Sequence, residues 1–330
     1  MTAPYAVLCG NCRDLAAVRR LMDGEKAQVV ITSPPYAAQR DYDKSSGFEP
    51  IPPEKYLDWY KGVSDVLQDV LAPDGSYFLN IKEHAEDGQR HLYVKKLVIA
   101  HVESWGWRFV DEFCWRKTDN GVPGGWGNRF KNAFEPVFHF CRQSQIKFRP
   151  SAVGHLSQDC FDYSPGNPKS ASGSGLLGCG RRGMVAEANA KGTAMRKTRQ
   201  SDAQGHFNGI ARPSNVIEAA TESTQGSHSA PFPVALPQFF IRAFSDPGDL
   251  VFDPFGGSGT TLMAAMRTGR RARCMEISPG YCDVVVRRMT ENQTGFEARL
   301  AETGQSFEQV SVGRRLAAEA ALQDQEGAAR

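Results

Sequence analysis

The glycine-rich stretch at residues 253–261 constrains the fold of this chain more than any other feature. Its sequence, Asp-Pro-Phe-Gly-Gly-Ser-Gly-Thr-Thr, follows the apolar residues 250–252 and opens a helical pattern over residues 260–267. This pattern predicts a buried strand, a tight turn and a helix. A second abrupt turn, Thr-Ser-Pro-Pro-Tyr at residues 32–36, follows another apolar run at residues 29–31. Because open α/β sheets bind ligands at the ends of strands, we expect the two turns to form one pocket.

Strand and helix patterns alternate along the rest of the chain. We predict strands at residues 5–9, 28–32, 76–81, 108–115, 135–141, 250–253 and 272–277. We predict helices at residues 13–22, 53–71, 91–105, 236–244 and 260–267. This alternation is typical of an α/β fold with a mostly parallel sheet and helices on both faces. A chain of 330 residues with 41% hydrophobic content can form one large domain and a smaller module.

Composition divides the chain into three parts. Residues 1–146 and 213–294 carry the periodic elements, and we expect them to form the main domain together. Residues 147–212 lack hydrophobic periodicity, because Gly, Ser, Pro and Asn interrupt every candidate element. Residues 295–330 are rich in Ala, Glu and Arg, which favours a terminal helix that fades into a disordered tail.

The segment at residues 147–212 is also basic. It contains ten Lys or Arg and four Asp or Glu, a surplus of six positive charges in a chain whose net charge is only +2. Such local clustering is typical of a surface that contacts nucleic-acid phosphates. A solvated, partly disordered insert would carry the same charge, so composition alone leaves both interpretations open.

Composition also bears on compartment and metals. No run of about 18 apolar residues and no export signal is visible, so we expect a soluble cytoplasmic protein without a membrane partner. The cysteines are expected to stay reduced, and the Cys9–Cys12 pair lacks a second pair to complete a zinc site. His139 lies in an apolar run without a ligand partner, so we expect no metal site.

The acidic residue after the next strand indicates the kind of cofactor. Glu276 follows Asp253 by 23 positions, close to the spacing of about 20 at which a carboxylate accepts ribose hydroxyls in nucleotide-binding βαβ units. The turn itself has neither Gly-x-Gly-x-x-Gly nor Gly-Lys-Ser/Thr, the two common phosphate-binding patterns. A nucleoside without a phosphate therefore fits this turn better than a dinucleotide.

Together, Asp-Pro-Phe-x-Gly-Ser-Gly-Thr and the upstream Thr-Ser-Pro-Pro-Tyr resemble a known family. They resemble the S-adenosylmethionine-dependent DNA methyltransferases that modify exocyclic amino groups, and the resemblance extends from Cys9 to Cys282 apart from the basic insert. The order of catalytic turn, insert and cofactor turn is similar to the β group of that family. The resemblance implies a Rossmann-like methyltransferase fold, with residues 147–212 as an inserted target-recognition region. It further implies double-stranded DNA as the substrate, a homodimer, and a separate cognate restriction enzyme as an optional partner.

The same resemblance implies roles for individual residues. Asp253, Phe255, Gly257 and Thr260 would surround the methionine part of S-adenosylmethionine, and Glu276 would bind its ribose. The full set of implied cofactor-binding residues is Asn11, Thr32, Phe232, Pro233, Asp253, Phe255, Gly257, Ser258, Gly259, Thr260 and Glu276. Asn11 stands near the expected adenine ring, where relatives commonly have Gly-Asp. The implied DNA-binding residues are Arg40, Arg181, Arg182, Arg196, Lys197 and Arg199.

The residues at the first turn suit methylation of an amine. An aromatic exocyclic amine is a poor nucleophile, because its lone pair is delocalised into the ring. We expect the Ser33 hydroxyl oxygen and the Pro34 carbonyl to accept its N–H bonds, while Tyr36 stacks on a base flipped out of the duplex. The Pro34-Pro35 pair restricts the backbone and holds these acceptors in place. Ser33, Pro34, Pro35 and Tyr36 are therefore the predicted catalytic residues.

Several alternatives stay open. The target is N4 of cytosine or N6 of adenine, and Ser33 slightly favours cytosine by resemblance. A methyltransferase of protein glutamine amides or of RNA amines also uses Pro-Pro-Tyr turns, usually with the cofactor turn first. A non-catalytic DNA-binding module would share the basic insert but would not bind the cofactor. An NAD-dependent oxidoreductase is disfavoured by the glycine spacing.

Overall fold

The computed structural model describes residues 3–37, 47–118, 127–128, 130–156, 210–211, 213–221, 232–293 and 296–315. Their centre is an eight-stranded sheet. Its strands are β1 (Tyr5–Cys9), β2 (Ala27–Thr32), β3 (Leu71–Asn80), β6 (Arg108–Lys117), β7 (Phe134–Cys141), β10 (Val216–Ala219), β11 (Leu250–Asp253) and β12 (Arg271–Glu276). Two short antiparallel ladders complete the numbering: β4 (Ala85–Glu86) with β5 (Gln89–Arg90), and β8 (His155–Leu156) with β9 (Ile210–Ala211).

The strands lie in the order β1-β12-β11-β2-β3-β7-β6-β10. The first five are parallel to their neighbours, β7 is antiparallel to both β3 and β6, and β10 is parallel to β6. The carboxyl ends of β1, β2, β11 and β12 therefore meet at one edge of the sheet. Because β7 runs the other way, its first residues lie at this same edge, beside the last residues of β6.

Helices cover both faces of this sheet in the described part of the chain. They are α1 (Leu15–Met22), α2 (Tyr56–Val70, after a 3₁₀ turn at Pro53–Lys55), α3 (Tyr93–Glu103), α4 (Ala235–Phe244), α5 (Thr260–Arg267) and α6 (Pro279–Glu291). Helices α1 to α3 pack in one hydrophobic cluster, and α4 to α6 pack in a second cluster on the opposite face. The predicted α/β architecture with a mostly parallel sheet is confirmed.

The two-sided packing explains why the central strands are continuous apolar runs. All six residues of β2 are buried. Val30 packs in the cluster of α1 to α3, whereas Val29 and Ile31 pack in the cluster of α4 to α6. A strand buried on both faces needs apolar side chains at successive positions, and not only at every second one.

Most predicted elements are present, and the main differences concern β3, α6 and β10. Strand β3 begins at Leu71, before the predicted residue 76, because Leu71 already pairs with Ala27 ahead of a register shift in β2. Helix α6 was not predicted, although Ser278 caps it by accepting the Tyr281 N–H at 3.3 Å and Pro279 occupies its first turn. Strand β10 has only four residues, too few to show a period.

Residues next to two of the predicted domain boundaries contact elements of the central sheet region. Lys147 pairs with Asp249 at 2.6 Å and with Asp246 at 3.1 Å, at the start of the basic segment. Near the other end of the chain, the Phe296 ring lies 6.2 Å from that of Tyr5, and the described chain ends within a helix that begins at residue 307. Residues 157–209 and 316–330 lie outside the described residues, so the proposed division stays a prediction. None of the described helices is long and apolar enough to cross a membrane.

Candidate active site

The two turns predicted from the sequence, at residues 32–36 and 253–261, meet through the Asp253 side chain at the end of β11. Asp253 is 1% exposed, and its Oδ1 accepts the Thr32 hydroxyl at 2.6 Å. The same oxygen accepts the Phe255 N–H at 3.0 Å, and Oδ2 accepts the Thr261 hydroxyl at 2.6 Å. One carboxylate therefore joins the last residue of β2 to the turn after β11, across 221 positions of sequence.

Burial changes the acidity of this carboxyl group. Removal from water raises the pKa of Asp253 to about 7, although the hydrogen bonds from Thr261, Thr32 and the Phe255 amide act in the opposite direction. The nearby charge of Glu276 raises the pKa further. Asp253 thus changes charge near neutral pH, and a cation beside it would favour the ionised form.

Glu276 occupies the end of β12, the strand beside β11. Its side chain is 8% exposed, its Oε2 accepts the Gly257 N–H at 2.7 Å, and its Oε1 accepts the Ser278 N–H at 2.9 Å. These backbone contacts fix the plane of the carboxylate. Two carboxylate oxygens offer about four acceptor sites, so Glu276 can also accept the hydroxyls of a ribose.

The glycine-rich turn packs tightly against its neighbours. A Cβ atom at Gly256 would lie 1.8 Å from the Cys274 Sγ of β12, so only glycine fits this position. Gly259 has a φ of +80°, in the left-handed region that favours glycine, and it caps α5. Arg288 of α6 donates to the Ser258 carbonyl oxygen at 3.2 Å and to the Thr260 hydroxyl at 3.0 Å. Contacts from α6 and β12 thus hold the turn.

The turn after β2 is held by side chains from other elements. The Tyr56 hydroxyl of α2 donates to the Pro35 carbonyl oxygen at 2.7 Å. The Tyr36 hydroxyl donates to Oε2 of Glu135 in β7 at 3.0 Å, and the Lys117 ammonium of β6 donates to Oε1 of that carboxylate at 2.6 Å. Ser33 is half-buried at the beginning of this turn.

A second lysine lies close to Glu135. Lys82, two residues beyond β3, is 9% exposed and donates through Nζ to the Phe134 carbonyl oxygen. Burial lowers the pKa of Lys82 to about 8, while the Glu135 charge opposes that shift. The edge near Tyr36 therefore combines one carboxylate with two cationic groups.

The structure brings most of the predicted cofactor residues to the same edge. Gly10, at the end of β1, donates its N–H to the Glu276 carbonyl oxygen at 2.9 Å, which places Asn11 beside Glu276. Asn11 is exposed, and its carboxamide oxygen accepts the Arg13 N–H at 3.0 Å. Phe232 is half-buried against the cluster of α4 to α6, and the adjoining Pro233 is buried. The predicted DNA-binding residues Arg40, Arg181, Arg182, Arg196, Lys197 and Arg199 lie outside the described residues.

Sequence reasoning missed five residues that support this site. Thr261 stood inside the quoted motif, but nothing in the pattern showed that its hydroxyl contacts Asp253. Tyr56 has the helical spacing of a core aromatic and is 0% exposed, yet its hydroxyl reaches the turn at residues 32–36. Arg288 lies on the helix that was not predicted, and the Glu135–Lys117 pair depends on the register of β6 against β7.

Fold and site together define the class of protein. A mostly parallel sheet with helices on both faces, and two carboxylates at the ends of adjacent strands, is a Rossmann-like nucleoside-binding architecture. Residues 27–287 match the family model N6_N4_Mtase, described as DNA methylase. The chain therefore belongs to this family of DNA methylases. It is an enzyme that methylates exocyclic amino groups in DNA, with S-adenosyl-L-methionine as the methyl donor.

Individual relatives agree with this assignment. The chain is 26% identical over 292 residues to the Type II methyltransferase M.PvuII of Proteus hauseri, covering 83% of this chain and 81% of the relative. It matches the solved structure of the cytosine-N4-specific PvuII DNA methyltransferase with a TM-score of 0.60 and 22% identity, over 90% of this chain and 89% of that one. It also matches the solved structure of the Thermus thermophilus protein TTHA0409 complexed with S-adenosyl-L-methionine, with a TM-score of 0.51 and 22% identity, over 88% of this chain and 96% of that one. The predicted Rossmann-like methyltransferase fold is thus confirmed.

Proposed function

We propose that the two turns divide the reaction between them. Residues 253–261 and Glu276 hold S-adenosyl-L-methionine, and Ser33, Pro34, Pro35 and Tyr36 hold the target base of duplex DNA. The hydrogen bond of 2.6 Å between Thr32 and Asp253 carries this proposal, because it fixes the two turns against each other at one edge of the sheet. A methyl donor and an acceptor amine bound at these turns would be neighbours.

The chemistry of the donor side fits this cofactor. When bound, S-adenosyl-L-methionine supplies an electrophilic methyl group on a positively charged sulfur. Glu276 offers acceptors for ribose hydroxyls, and the buried Asp253 offers a negative charge to the cationic methionine part. Both contacts suit a cofactor that carries no phosphate group.

On the acceptor side, the protein supplies oxygen acceptors and an aromatic ring. The Ser33 hydroxyl oxygen and the Pro34 carbonyl accept the two amine N–H bonds, which draws the nitrogen towards tetrahedral geometry. Tyr36 stacks on the flipped base. The Tyr56 hydroxyl bonds the Pro35 carbonyl oxygen at 2.7 Å and so holds the backbone of these acceptors before the base binds.

The favoured target is N4 of cytosine. Ser33 favours it over N6 of adenine, and the cytosine-N4-specific PvuII enzyme has the same fold. The test is to methylate a random duplex library with labelled cofactor and to digest the product to nucleosides. We expect labelled N4-methylcytosine. Labelled N6-methyladenine alone would reject the cytosine assignment, and an unlabelled library together with labelled RNA or protein would reject the DNA substrate.

We assign duplex recognition to the basic segment at residues 147–212. Its support is the surplus of six positive charges in a chain of net charge +2. Neutralising Arg196, Lys197 and Arg199 together should weaken binding and flatten its dependence on salt. The matched control neutralises Arg19, Arg20 and Lys26, which lie around the end of α1 and the start of β2, at the opposite edge of the sheet from the site. An equal change in the control would remove the three predicted residues from the interface.

The remaining partners are proposed from the family resemblance. We expect a homodimer, with a separate cognate restriction enzyme as an optional partner; the relative M.PvuII is named a Type II methyltransferase. Light scattering at several concentrations tests the dimer. Sequencing plasmid DNA from expressing cells with modification detection maps the recognition sequence. Resistance of that plasmid to restriction enzymes of the mapped specificity then tests protection. We also expect a cytoplasmic location, as predicted from the sequence.

A further inference from the structure

An ion pair between Glu135 and Lys117 contacts Tyr36, the residue that is proposed to stack on the base. Strands β6 and β7 are antiparallel, with Trp115 opposite Glu135, so Lys117 projects two residues further along the same face of β6. Glu135 accepts the Lys117 ammonium at 2.6 Å on one oxygen and the Tyr36 hydroxyl at 3.0 Å on the other. The two charged side chains are only 14% and 13% exposed.

This arrangement restrains the ring of Tyr36. The backbone positions the base of the side chain, and the hydroxyl contact fixes its tip, so the plane of the ring is determined at both ends. A hydrogen bond to an ionised acceptor is stronger than one between neutral groups. The Lys117 ammonium in turn limits the movement of Glu135, and it also lies 5.1 Å from the centre of the Trp115 ring.

We propose that Glu135 is a positioning residue for base stacking, and that Lys117 holds it in place. Glu135 acts through the Tyr36 hydroxyl and does not touch the base. The inference rests on the proposed function, because it requires that the ring of Tyr36 stacks on the target base. Its consequence is that the hydroxyl of Tyr36, which stacking alone does not need, contributes to turnover.

The neighbouring strand position supplies a matched control. Arg116 pairs with Glu218 of β10 at the same N–O distance of 2.6 Å, but these side chains are 56% and 54% exposed. Arg116 is adjacent to Lys117 in β6, so it points to the opposite face of the sheet. Glu218→Ala therefore removes a similar ion pair from the same part of the sheet without affecting Tyr36.

The experiment is a double-mutant cycle on the full chain, using the mapped duplex and saturating S-adenosyl-L-methionine. Tyr36→Phe and Glu135→Ala should each lower kcat by about tenfold, as loss of one charge-assisted hydrogen bond predicts. The double variant should be no slower than either single variant, because both remove the same contact. Glu135→Gln should recover most of the rate, since its amide oxygen still accepts the hydroxyl. Cofactor affinity should be unchanged throughout, and Glu218→Ala should match the wild type.

A spectroscopic measurement separates positioning from general support of the fold. With 2-aminopurine at the mapped target position, a stacked tyrosine quenches the flipped base, so emission should rise in Tyr36→Phe and Glu135→Ala but not in Glu135→Gln. Additive losses in the double variant, or no rescue by Glu135→Gln, would overturn the positioning role. A wild-type enzyme that methylates no DNA would instead contradict the proposed function itself.

Discussion

The turn at residues 253–261, which we propose to bind the methyl donor, and the turn at residues 32–36, which we propose to bind the acceptor base, lie at one edge of the sheet but are held in different ways. We call them the donor turn and the acceptor turn. The donor turn is held through its backbone: the carboxylates of Asp253 and Glu276 accept the N–H groups of Phe255 and Gly257, and Gly256 packs against β12. The acceptor turn is held by single hydrogen bonds of tyrosine hydroxyls. Tyr56 lies 21 positions from the residue it holds, and Glu135 lies 99 positions from Tyr36.

This difference predicts two kinds of failure. A donor turn whose backbone packs directly on a strand should lose its ligand site completely when that packing is broken. An acceptor turn that is positioned by single side-chain hydrogen bonds should lose turnover in steps, while its cofactor site stays intact. Variants on each side can therefore test whether the two turns are independent.

The largest effect is expected for Gly256→Ala on the donor side. The added methyl would lie 1.8 Å from the Cys274 Sγ and 3.3 Å from the Met275 carbonyl oxygen, so the turn and β12 must separate. We expect a loss of about 3 kcal/mol in the free energy of unfolding, at the upper end for overpacking. We also expect loss of cofactor binding. Denaturant unfolding and calorimetric titration with S-adenosyl-L-methionine measure the two effects.

Two controls sharpen this prediction. Gly257→Ala adds a methyl with nothing within 4 Å, so only its φ of +50° is unfavourable, and a cost of about 1 kcal/mol is expected. Cys274→Ala removes the clashing sulfur and should rescue much of the loss in the double variant with Gly256→Ala. Failure of this rescue would show that the turn is not limited by its packing on β12.

A smaller effect, dependent on pH, is expected for Asp253→Asn. The pKa of Asp253 is raised to about 7, so the folded protein holds this proton at pH values where the unfolded chain has released it. Wild-type stability should therefore fall as pH rises towards 7, by up to about 1.4 kcal/mol per pH unit and so by at most ~2.7 kcal/mol between pH 5 and pH 7. The asparagine variant lacks this titration, because it cannot ionise.

The measurement is thermal unfolding of the two proteins without cofactor between pH 5 and pH 8. The stability of Asp253→Asn relative to the wild type should increase as pH rises. At pH 8, its affinity for S-adenosyl-L-methionine should be lower than that of the wild type. The amide oxygen can still accept the Thr32 hydroxyl and the Phe255 N–H, so the turn should keep its shape. A difference that does not change with pH would contradict the raised pKa.

The same contrast explains what could be predicted from sequence. The strand at residues 250–253 and the helix at residues 260–267 were predicted within their observed bounds, because a buried apolar run, a glycine-rich turn and a helical period are local signals. Glu276 was predicted from its distance from Asp253, and the structure places it at the end of the adjacent strand, because adjacent strands of a βαβ unit keep nearly constant spacing. The donor side is therefore largely visible in the sequence.

The supports of the acceptor side are not visible in this way. The Glu135–Lys117 pair forms only when β6 and β7 adopt one register, and no local pattern specifies that register. Tyr56 has the same spacing as its core neighbours on α2, so its hydroxyl contact could not be distinguished from ordinary packing. A tyrosine buried in a core still requires a partner for its hydroxyl, which is the signal that could have identified it.

The smallest effect is expected for Tyr56→Phe, which removes the hydrogen bond to the Pro35 carbonyl while leaving the ring in the core. Tyr60→Phe is the matched control, since Tyr60 is equally buried on α2 but pairs with the Tyr77 hydroxyl, away from the turn. Each variant should lose about 1 kcal/mol of stability, as one buried hydrogen bond predicts. Only Tyr56→Phe should lower kcat, by a few-fold, with cofactor affinity unchanged. If both variants slow methylation equally, α2 affects the reaction through general stability, and the acceptor turn is not held by a separate contact.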